Sequence, residues 1–303
     1  MHTPRALSVI VACTEAARSI EACLDALSRA CAGIDAEILV ADASRDDTAE
    51  RAQRLQRNGC VVRFPPGTLA PQLWAYGYAA STGRVVAFTT GHCIVPPGWA
   101  RAMLDGIEAG ATGVGGAFEL APGTSVIDWA VFYLRYSAFL QATPPRGGIT
   151  EIAGDNAAYR RDALDRHAAT FAGGFWEVDF HHHIRAEGGS LRLVAGATVA
   201  FGPSFPFREI VRQRFAHGRH FGASRVASGA RAAWQVVLAA PLVPLVLARR
   251  IAARVLPHPR HRARFALALP VVLALAAAWS AGEAWGAVAG AGIGPLPAPG
   301  VAS

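Results

Sequence analysis

LSVIVAC (7–13) and AEILVAD (36–42), separated by TEAARSIEACLDALSRACAGID (14–35), read as one strand–helix–strand unit. Each flanking run is almost continuously apolar, the pattern of a strand covered on both faces. The stretch between them, from about Glu15 to Ala32, is amphipathic at helical spacing. The alternation continues outward. An amphipathic segment from Asp47 to Asn58 leads to CVVRF (60–64), and one from Gln72 to Ala80 leads to GRVVAFTT (83–90). Further strands are predicted within Thr112–Phe118 and Leu191–Ala200. Regular strand–helix alternation predicts an α/β fold, a mostly parallel sheet flanked by helices on both faces.

Composition bounds the rest. The chain has 303 residues with 52% hydrophobic and 17% charged side chains, too apolar for a disordered chain or a purely soluble protein. All 29 basic residues are Arg and none is Lys, and alanine is abundant, as in the product of a GC-rich genome. Arginine by itself therefore says nothing here about phosphate recognition. The five cysteines are scattered and form no CxxC pair, which excludes a zinc finger and a disulfide framework and fits a reducing compartment. The apolar run near the N-terminus is too short for a secretory signal, so the first domain is expected to stay in the cytoplasm.

The character of the chain changes near residue 207. From Arg208 to Arg264 there are twelve Arg and one acid, Glu209. Apolar segments follow at Ala232–Ala248 and Phe265–Ala281, each 17 residues long, and GEAWGAVAGAGIG (282–294) can add a further short one. Pro241, Pro244 and Pro270 lie inside them, which membrane helices tolerate better than water-exposed ones. The expected organisation is an α/β domain over 1–206, a basic membrane-proximal segment over 207–231 and hydrophobic membrane segments with a short tail over 232–303. One full crossing sets the second Arg cluster on the far side, against the positive-inside tendency, and a Pro-broken re-entrant hairpin keeps both clusters on the cytoplasmic side. Buried core helices are the alternative to both.

In an open parallel sheet, ligands bind beyond the carboxyl ends of the strands. Asp42 ends the second strand in VADASRDDT and can accept hydrogen bonds from a ribose hydroxyl or a base N–H. Ser44, Asp46 and Asp47 behind it suit the start of the next helix.

The ordered series SVIVACTE, ILVADASRDDT, GRVVAFTTGHCIVPPGW, AGDNAAYRRDAL, GGFWEVDF and RQRFAHGR, spread over residues 7–225, resembles the family-2 glycosyltransferases of GT-A fold, in particular membrane-associated bacterial members with C-terminal hydrophobic segments. The resemblance implies an inverting enzyme of cell-surface glycan and polysaccharide biosynthesis. It would move a sugar from a nucleotide-sugar donor to a lipid-linked or glycan acceptor, with a divalent cation, Mn²⁺ or Mg²⁺. It further implies a place at the inner cell membrane with the catalytic domain on the cytoplasmic side.

Carried over by position, Glu15 and Asp42 match nucleotide contacts. Asp155 and Asn156, in Gly154-Asp155-Asn156, match the segment lining the donor sugar. As structure, they can instead cap a helix over Ala157–His167. The family's Asp-x-Asp metal motif falls on Thr90-Gly91-His92, leaving His92 as the candidate ligand. An imidazole suits Mn²⁺ better than Mg²⁺, and His92 as a plain loop residue is the alternative. Glu177 and Asp179 match the segment that carries the acceptor-activating base. Two positions apart on a helix, they cannot share a face, and Glu177 is preferred. His181–His183 cannot chelate one ion together, since consecutive helical positions point about 100° apart. Gln213 and Arg219 match positions near the acceptor and the leaving group. Lipid-surface attraction accounts for most of the other Arg.

Nucleic-acid binding is set aside, because no RNP or zinc-finger signature accompanies the basic charge. A nucleotidyltransferase would need a Gly-rich phosphate loop where Cys13–Arg18 has no glycine. A catalytically degenerate GT-A scaffold or partner protein is the competing expectation, fed by the departure at Thr90–His92.

Overall fold

The computed structural model describes residues 5–55, 60–140, 149–202 and 206–292. In chain order the elements are β1 (Leu7–Cys13), α1 (Ile20–Ala30), β2 (Ala36–Asp42), α2 (Thr48–Leu55), β3 (Cys60–Arg63), α3 (Ala70–Ala80) and β4 (Val85–Thr90). Next come β5 (Cys93–Ile94), α4 (Trp99–Glu108), β6 (Gly113–Gly115), β7 (Phe118–Leu120), α5 (Val126–Tyr136), β8 (Asn156–Arg160), α6 (Arg161–Arg166) and α7 (Glu177–Ala186). The chain closes with β9 (Leu191–Leu193), β10 (Val199–Phe201), α8 (Phe207–Ala227), α9 (Ala233–Ala239), α10 (Val243–Val255) and α11 (Pro259–Ala289). The last part of the helix expected over Asp47–Asn58 and the end of the 282–294 segment lie outside the described residues.

The chain divides into two compact units, Pro122–Ala138 and Pro203–Gly294 forming the second and the bulk of the rest the first. The first unit holds a seven-stranded sheet of order β3-β2-β1-β4-β8-β6-β9 and a three-stranded sheet of order β5-β10-β7. Strands β1 to β4 run parallel, as their apolar runs predict, and β1 is buried along its whole length. This is the GT-A architecture.

Residues Asn156–Arg160 correct one expectation. They form a strand, β8, antiparallel to both β4 and β6, and not the start of a helix over Ala157–His167. Ala157 and Ala158 have no β-branch to announce a strand. Their small side chains let Phe88 and Gly115 sit directly across from Ala157 on either side, and the ladder overrides local propensity. The predicted strands Thr112–Phe118 and Leu191–Ala200 each divide in two, one half in each sheet. Under the large sheet Phe88, Tyr159, Phe171, Phe175 and Phe180 form one aromatic cluster, with Phe88 and Phe175 stacked at 4.5 Å.

In the second unit, α8 and α11 meet backbone to backbone. A Cβ added at Gly218 or Gly222 would collide with Trp279 and Glu283, and one at Gly282 or Gly286 with Phe215 and Arg219. Two glycines four residues apart on each helix make this approach possible, as in small-residue packing between membrane helices. Arg225 closes the pair with a 2.6 Å bond to Glu283, whose side chain is only 4% exposed. Helix α5 joins the same unit: Tyr133 donates to the carbonyl of His261 (3.3 Å), and its ring meets Phe265 edge-on. Residues Ala233–Val255 and Pro259–Ala289 are each long and apolar enough to cross a membrane, with mean hydropathy of 1.8 and 2.0. Large apolar side chains stand exposed on them, Trp234, Leu238, Leu245 and Val288 among them.

Candidate active site

The strand register places Asp42, Thr90 and Asn156 on one sheet edge. Cys13 pairs with Asp42, Ala12 with Thr90, and Thr89 with Asn156. The carboxyl ends of β1, β2 and β4 and the start of antiparallel β8 therefore share one rim. β1 and β4 leave this rim in opposite lateral directions, so the crevice between them is the topological switch point where ligands bind. An open depression of about 850 Å³ at the other edge is lined by Asp35, Arg84, Arg101, Arg160 and Asp162. Lying at the amino ends of β1 and β4, with Arg160 and Asp162 bonded to one another, it is not the candidate site.

Asp42 is nearly inaccessible and is held by Ser44, whose hydroxyl (2.6 Å) and amide (3.3 Å) both donate to its carboxylate. Burial pushes the Asp42 carboxyl above the usual range, and the Ser44 bonds pull the other way. The same Ser44 hydroxyl accepts the amide of Glu15 at 2.8 Å. Glu15 has φ of 51°, a left-handed conformation uncommon outside glycine, and its carboxylate accepts the amide of Arg45 at 2.9 Å. The loops after β1 and β2 are thereby sewn together, with Glu15 and Asp42 in adjacent turns. Asp46 and Thr48 add to the seam by accepting the amides of Ala17 and Ala16. Asp46 also accepts the Thr48 amide at the start of α2.

His92 is enclosed between two loops. The ring is 2% exposed, with Nδ1 3.1 Å from the Ser19 hydroxyl and Nε2 3.1 Å from the Thr14 carbonyl oxygen. A carbonyl only accepts, so Nε2 carries the proton and Nδ1 takes the Ser19 hydrogen bond. Both nitrogens are committed to protein, and the ring bridges the loops after β4 and β1. Thr90 faces Cys93 at 3.3 Å. No group of three or more His, Cys, Asp or Glu suited to a metal ion occurs among the described residues. Thr90 and His92 thus each have a partner within the protein.

Asn156 is enclosed likewise. It is fully buried; its amide oxygen accepts from Trp99 Nε1 at 2.8 Å and its amide nitrogen donates to the carbonyls of Ala197 at 2.7 Å and Ala117 at 3.3 Å. Those bonds clamp the large sheet to the loops of the small one. Its neighbour Asp155 is 6% exposed, on the rim at the start of β8.

Glu177 and Asp179 differ as their spacing requires. Glu177 is half-buried and Asp179 exposed. Phe175 and Phe180 are locked into the aromatic cluster, and the Phe175 amide donates to the Pro71 carbonyl at 2.7 Å. Gly174, at φ of 123°, lets the chain pass tightly over Gln72. These anchors set the first turn of α7 against Trp74 and Gly154. A Cβ at Gly154 would lie 3.2 Å from the Glu177 carboxyl carbon and 3.0 Å from the Trp74 ring. Trp74 is in turn fixed by donating to the Thr89 carbonyl at 2.8 Å. Tyr159 bonds His181 Nε2 at 2.7 Å behind this group. Burial, then the nearby charge of Glu177, raises the Tyr159 hydroxyl well above its usual value. Trp74 was not singled out from the sequence, and Ser44 was read only as a helix-start residue. A buried Trp or Tyr needs a partner for its polar atom, but the partners here are assembled by the fold.

Gln213 and Arg219 lie in the second unit, on α8. Arg219 Nε donates to the Gly290 carbonyl at 2.9 Å, a cation at the carboxyl end of α11.

Several solved structures are similar to the chain. Glucosyl-3-phosphoglycerate synthase from Mycobacterium tuberculosis, in complex with Mn²⁺, UDP and phosphoglyceric acid, is 20% identical, matched over 69% of this chain and 75% of its own, with a TM-score of 0.48. The mannosyltransferase PcManGT from Pyrobaculum calidifontis, in complex with GDP-Man and Mn²⁺, is 17% identical over 75% of this chain and 65% of its own, with a TM-score of 0.47. No curated protein matches. The family profile of glycosyl transferase family 2 matches residues 8–168, more than half of the sequence. The chain belongs to this family and is a glycosyltransferase.

Proposed function

We propose that the chain moves a sugar from a nucleotide-sugar to a lipid-linked or other membrane-held acceptor, with inversion at the anomeric carbon, at the cytoplasmic face of the cell membrane. The observation that supports the reading is Glu177, a half-buried carboxylate beside Gly154, the residue just before Asp155 and Asn156 at the ligand-binding rim of the sheet. Glu177 removes the proton of the acceptor hydroxyl as its oxygen attacks C1 opposite the leaving nucleotide. Asp42, oriented by Ser44, and Glu15 take the nucleoside. Asp155 takes sugar hydroxyls, and Gln213 approaches the acceptor. Asp179, exposed on the same turn, is the lesser candidate for the base. The membrane side of the reading draws on the exposed apolar surfaces of α9 to α11 and the arginines beside them. An acceptor confined to that surface meets the site at high effective concentration.

Glu177→Gln tests it. Turnover with a nucleotide-sugar and membrane extract falls by about 10²–10⁴-fold, while nucleotide binding measured by calorimetry is unchanged. Full turnover in Glu177→Gln, with loss in Asp179→Asn, transfers the role to Asp179.

A further inference from the structure

Helix α11 leaves one apolar stripe uncovered. Leu267, Pro270, Ala274, Ala277, Trp285 and Val288 recur at helical spacing, and all are exposed. By length and composition α11 can cross a membrane, but its neighbour α8 opposes a crossing. Across their contact Gly218 meets Trp279 and Gly222 meets Glu283, while Phe215 meets Gly282 and Arg219 meets Gly286. The residue numbers rise together, so the two helices run parallel. In that register Arg208 and Arg212, both exposed, stand about level with Val272 and Ala276, near the middle of the stripe. A crossing α11 would hold these two guanidinium groups near the centre of the hydrocarbon, where an arginine is strongly disfavoured. Arg260, Arg262 and Arg264 stand at the start of α11, and Arg219 reaches the Gly290 carbonyl at its end. Arginine thus accompanies the helix along its length and not only at its ends. The other candidate fails on reach. Its charge-free part, Ala233–Ala248, rises about 24 Å and is broken by the turn at Ala240–Leu242, against a hydrocarbon core of about 30 Å.

We propose that the second unit lies in the plane of one membrane leaflet without crossing it, and that this leaflet is rich in anionic lipid. The stripe of α11 enters below the headgroups, as interfacial helices do by roughly 5–10 Å. Trp234 and Trp285, exposed at 64% and 56%, suit the boundary between headgroup and chain. The charge is complementary. Over 203–294 the sequence has twelve Arg against two acids, Glu209 and Glu283. Arg249 and Arg250, exposed on α10, are among the arginines that meet lipid phosphate. The inference deepens the membrane side of the transferase reading and rests on it for its purpose. Its test reads depth and lipid charge, not turnover. It can therefore fail while transfer persists, and the Glu177→Gln test can fail while the unit still lies in the leaflet.

The experiment places the full chain in vesicles of phosphatidylcholine and phosphatidylglycerol. A nitroxide is attached at Leu267→Cys, Ala277→Cys or Val288→Cys, with Cys31→Ser and Cys60→Ser removing the native thiols that are not buried. Accessibility to oxygen, which collects in the hydrocarbon, and to a water-soluble nickel chelate gives the depth of each label. All three lie at similar depth, roughly 5–10 Å below the headgroups. Ala277 near 15 Å, half of the ~30 Å core, with Leu267 and Val288 shallower, means a crossing or re-entrant helix and overturns the proposal. Labels shielded from both reagents mean that protein, such as a second copy of the chain, covers the stripe, and overturn it as well. Should Ala277→Cys not fold, Ala274→Cys on the same stripe takes its place. Flotation tests the lipid charge. The double variant Arg249→Gln/Arg250→Gln binds vesicles containing phosphatidylglycerol about ten-fold or more weakly than wild type, and vesicles of phosphatidylcholine alone about equally. Equal binding of both proteins to both kinds of vesicle overturns the anionic leaflet.

Discussion

Nε2 of His92 lies 3.1 Å from the carbonyl oxygen of Thr14, joining the loop after β4 to the loop after β1 across the crevice where a nucleotide would enter. The bond makes His92 a brace. His92→Ala removes a partner from the half-buried Thr14 carbonyl and the buried Ser19 hydroxyl, a loss of about 1 kcal/mol or more. Urea unfolding shows the loss, and Mn²⁺ titration shows the same affinity in both proteins. Unchanged stability with weakened Mn²⁺ binding would restore His92 as a ligand.

His181 gives a pH dependence with a defined sign. Burial, aided by the charges of His182 and Arg185, pushes its imidazole from 6.5 down to about 3. Below pH 6.5 the unfolded chain takes up a proton that the folded chain refuses. The contribution is complete above that pH and is lost as pH falls toward 3. The slope is at most about 1.4 kcal/mol per pH unit. Between pH 6.5 and 5, His181→Gln removes about 2 kcal/mol of the acid loss, because a neutral amide can still meet Tyr159. His217 acts with the same sign, so part of the acid loss remains. Unfolding curves at both pH values that shift equally in the two proteins would refute this.

Legibility in the sequence followed the range of the forces involved. Strands β1, β2 and β4 were readable because a doubly covered strand must be apolar throughout, a local signal. β8 was not, since Asn156–Arg160 is alanine-rich and becomes a strand only between β4 and β6. Asp42 at a strand end could be read from pattern, and the Glu177–Asp179 spacing already implied that only one would face inward. His92 could not be read. Its partners, Ser19 and Thr14, lie 73 and 78 residues away, and its ring nitrogens are spoken for only once the two loops meet. The grouping of α5 with α8 and α11 was equally silent, because Tyr133 finds His261 across 128 residues.

Glu283 lies within the long apolar helix α11 and is held by Arg225. Glu283→Gln strands Arg225 and destabilises the second unit by about 2–4 kcal/mol. That is below the range for a fully buried pair because Arg225 keeps 32% of its side chain exposed. Adding Arg225→Met recovers part of the loss, since replacing both charges by apolar groups removes the stranded ion. Thermal melts in detergent read both effects. Additive losses in the double variant would show that the two residues are not coupled.

Ser280 and Ala240 tie α11 to the turn that precedes α10. Over Ala240–Leu242 the chain makes a tight turn in which the Ala240 carbonyl accepts the Val243 amide, and Pro244 follows in the first turn of α10, where its missing N–H is no loss. The Ser280 hydroxyl on α11 donates to the same Ala240 carbonyl at 2.7 Å, as its second partner. Ser280 is 3% exposed, so no solvent can substitute for it readily. Because the carbonyl keeps its backbone donor, Ser280→Ala costs only the net worth of one hydrogen bond, about 1 kcal/mol. Thermal melts of the two proteins in the same detergent read the difference. An unchanged melting temperature would mean that the hydroxyl contributes nothing across these two elements.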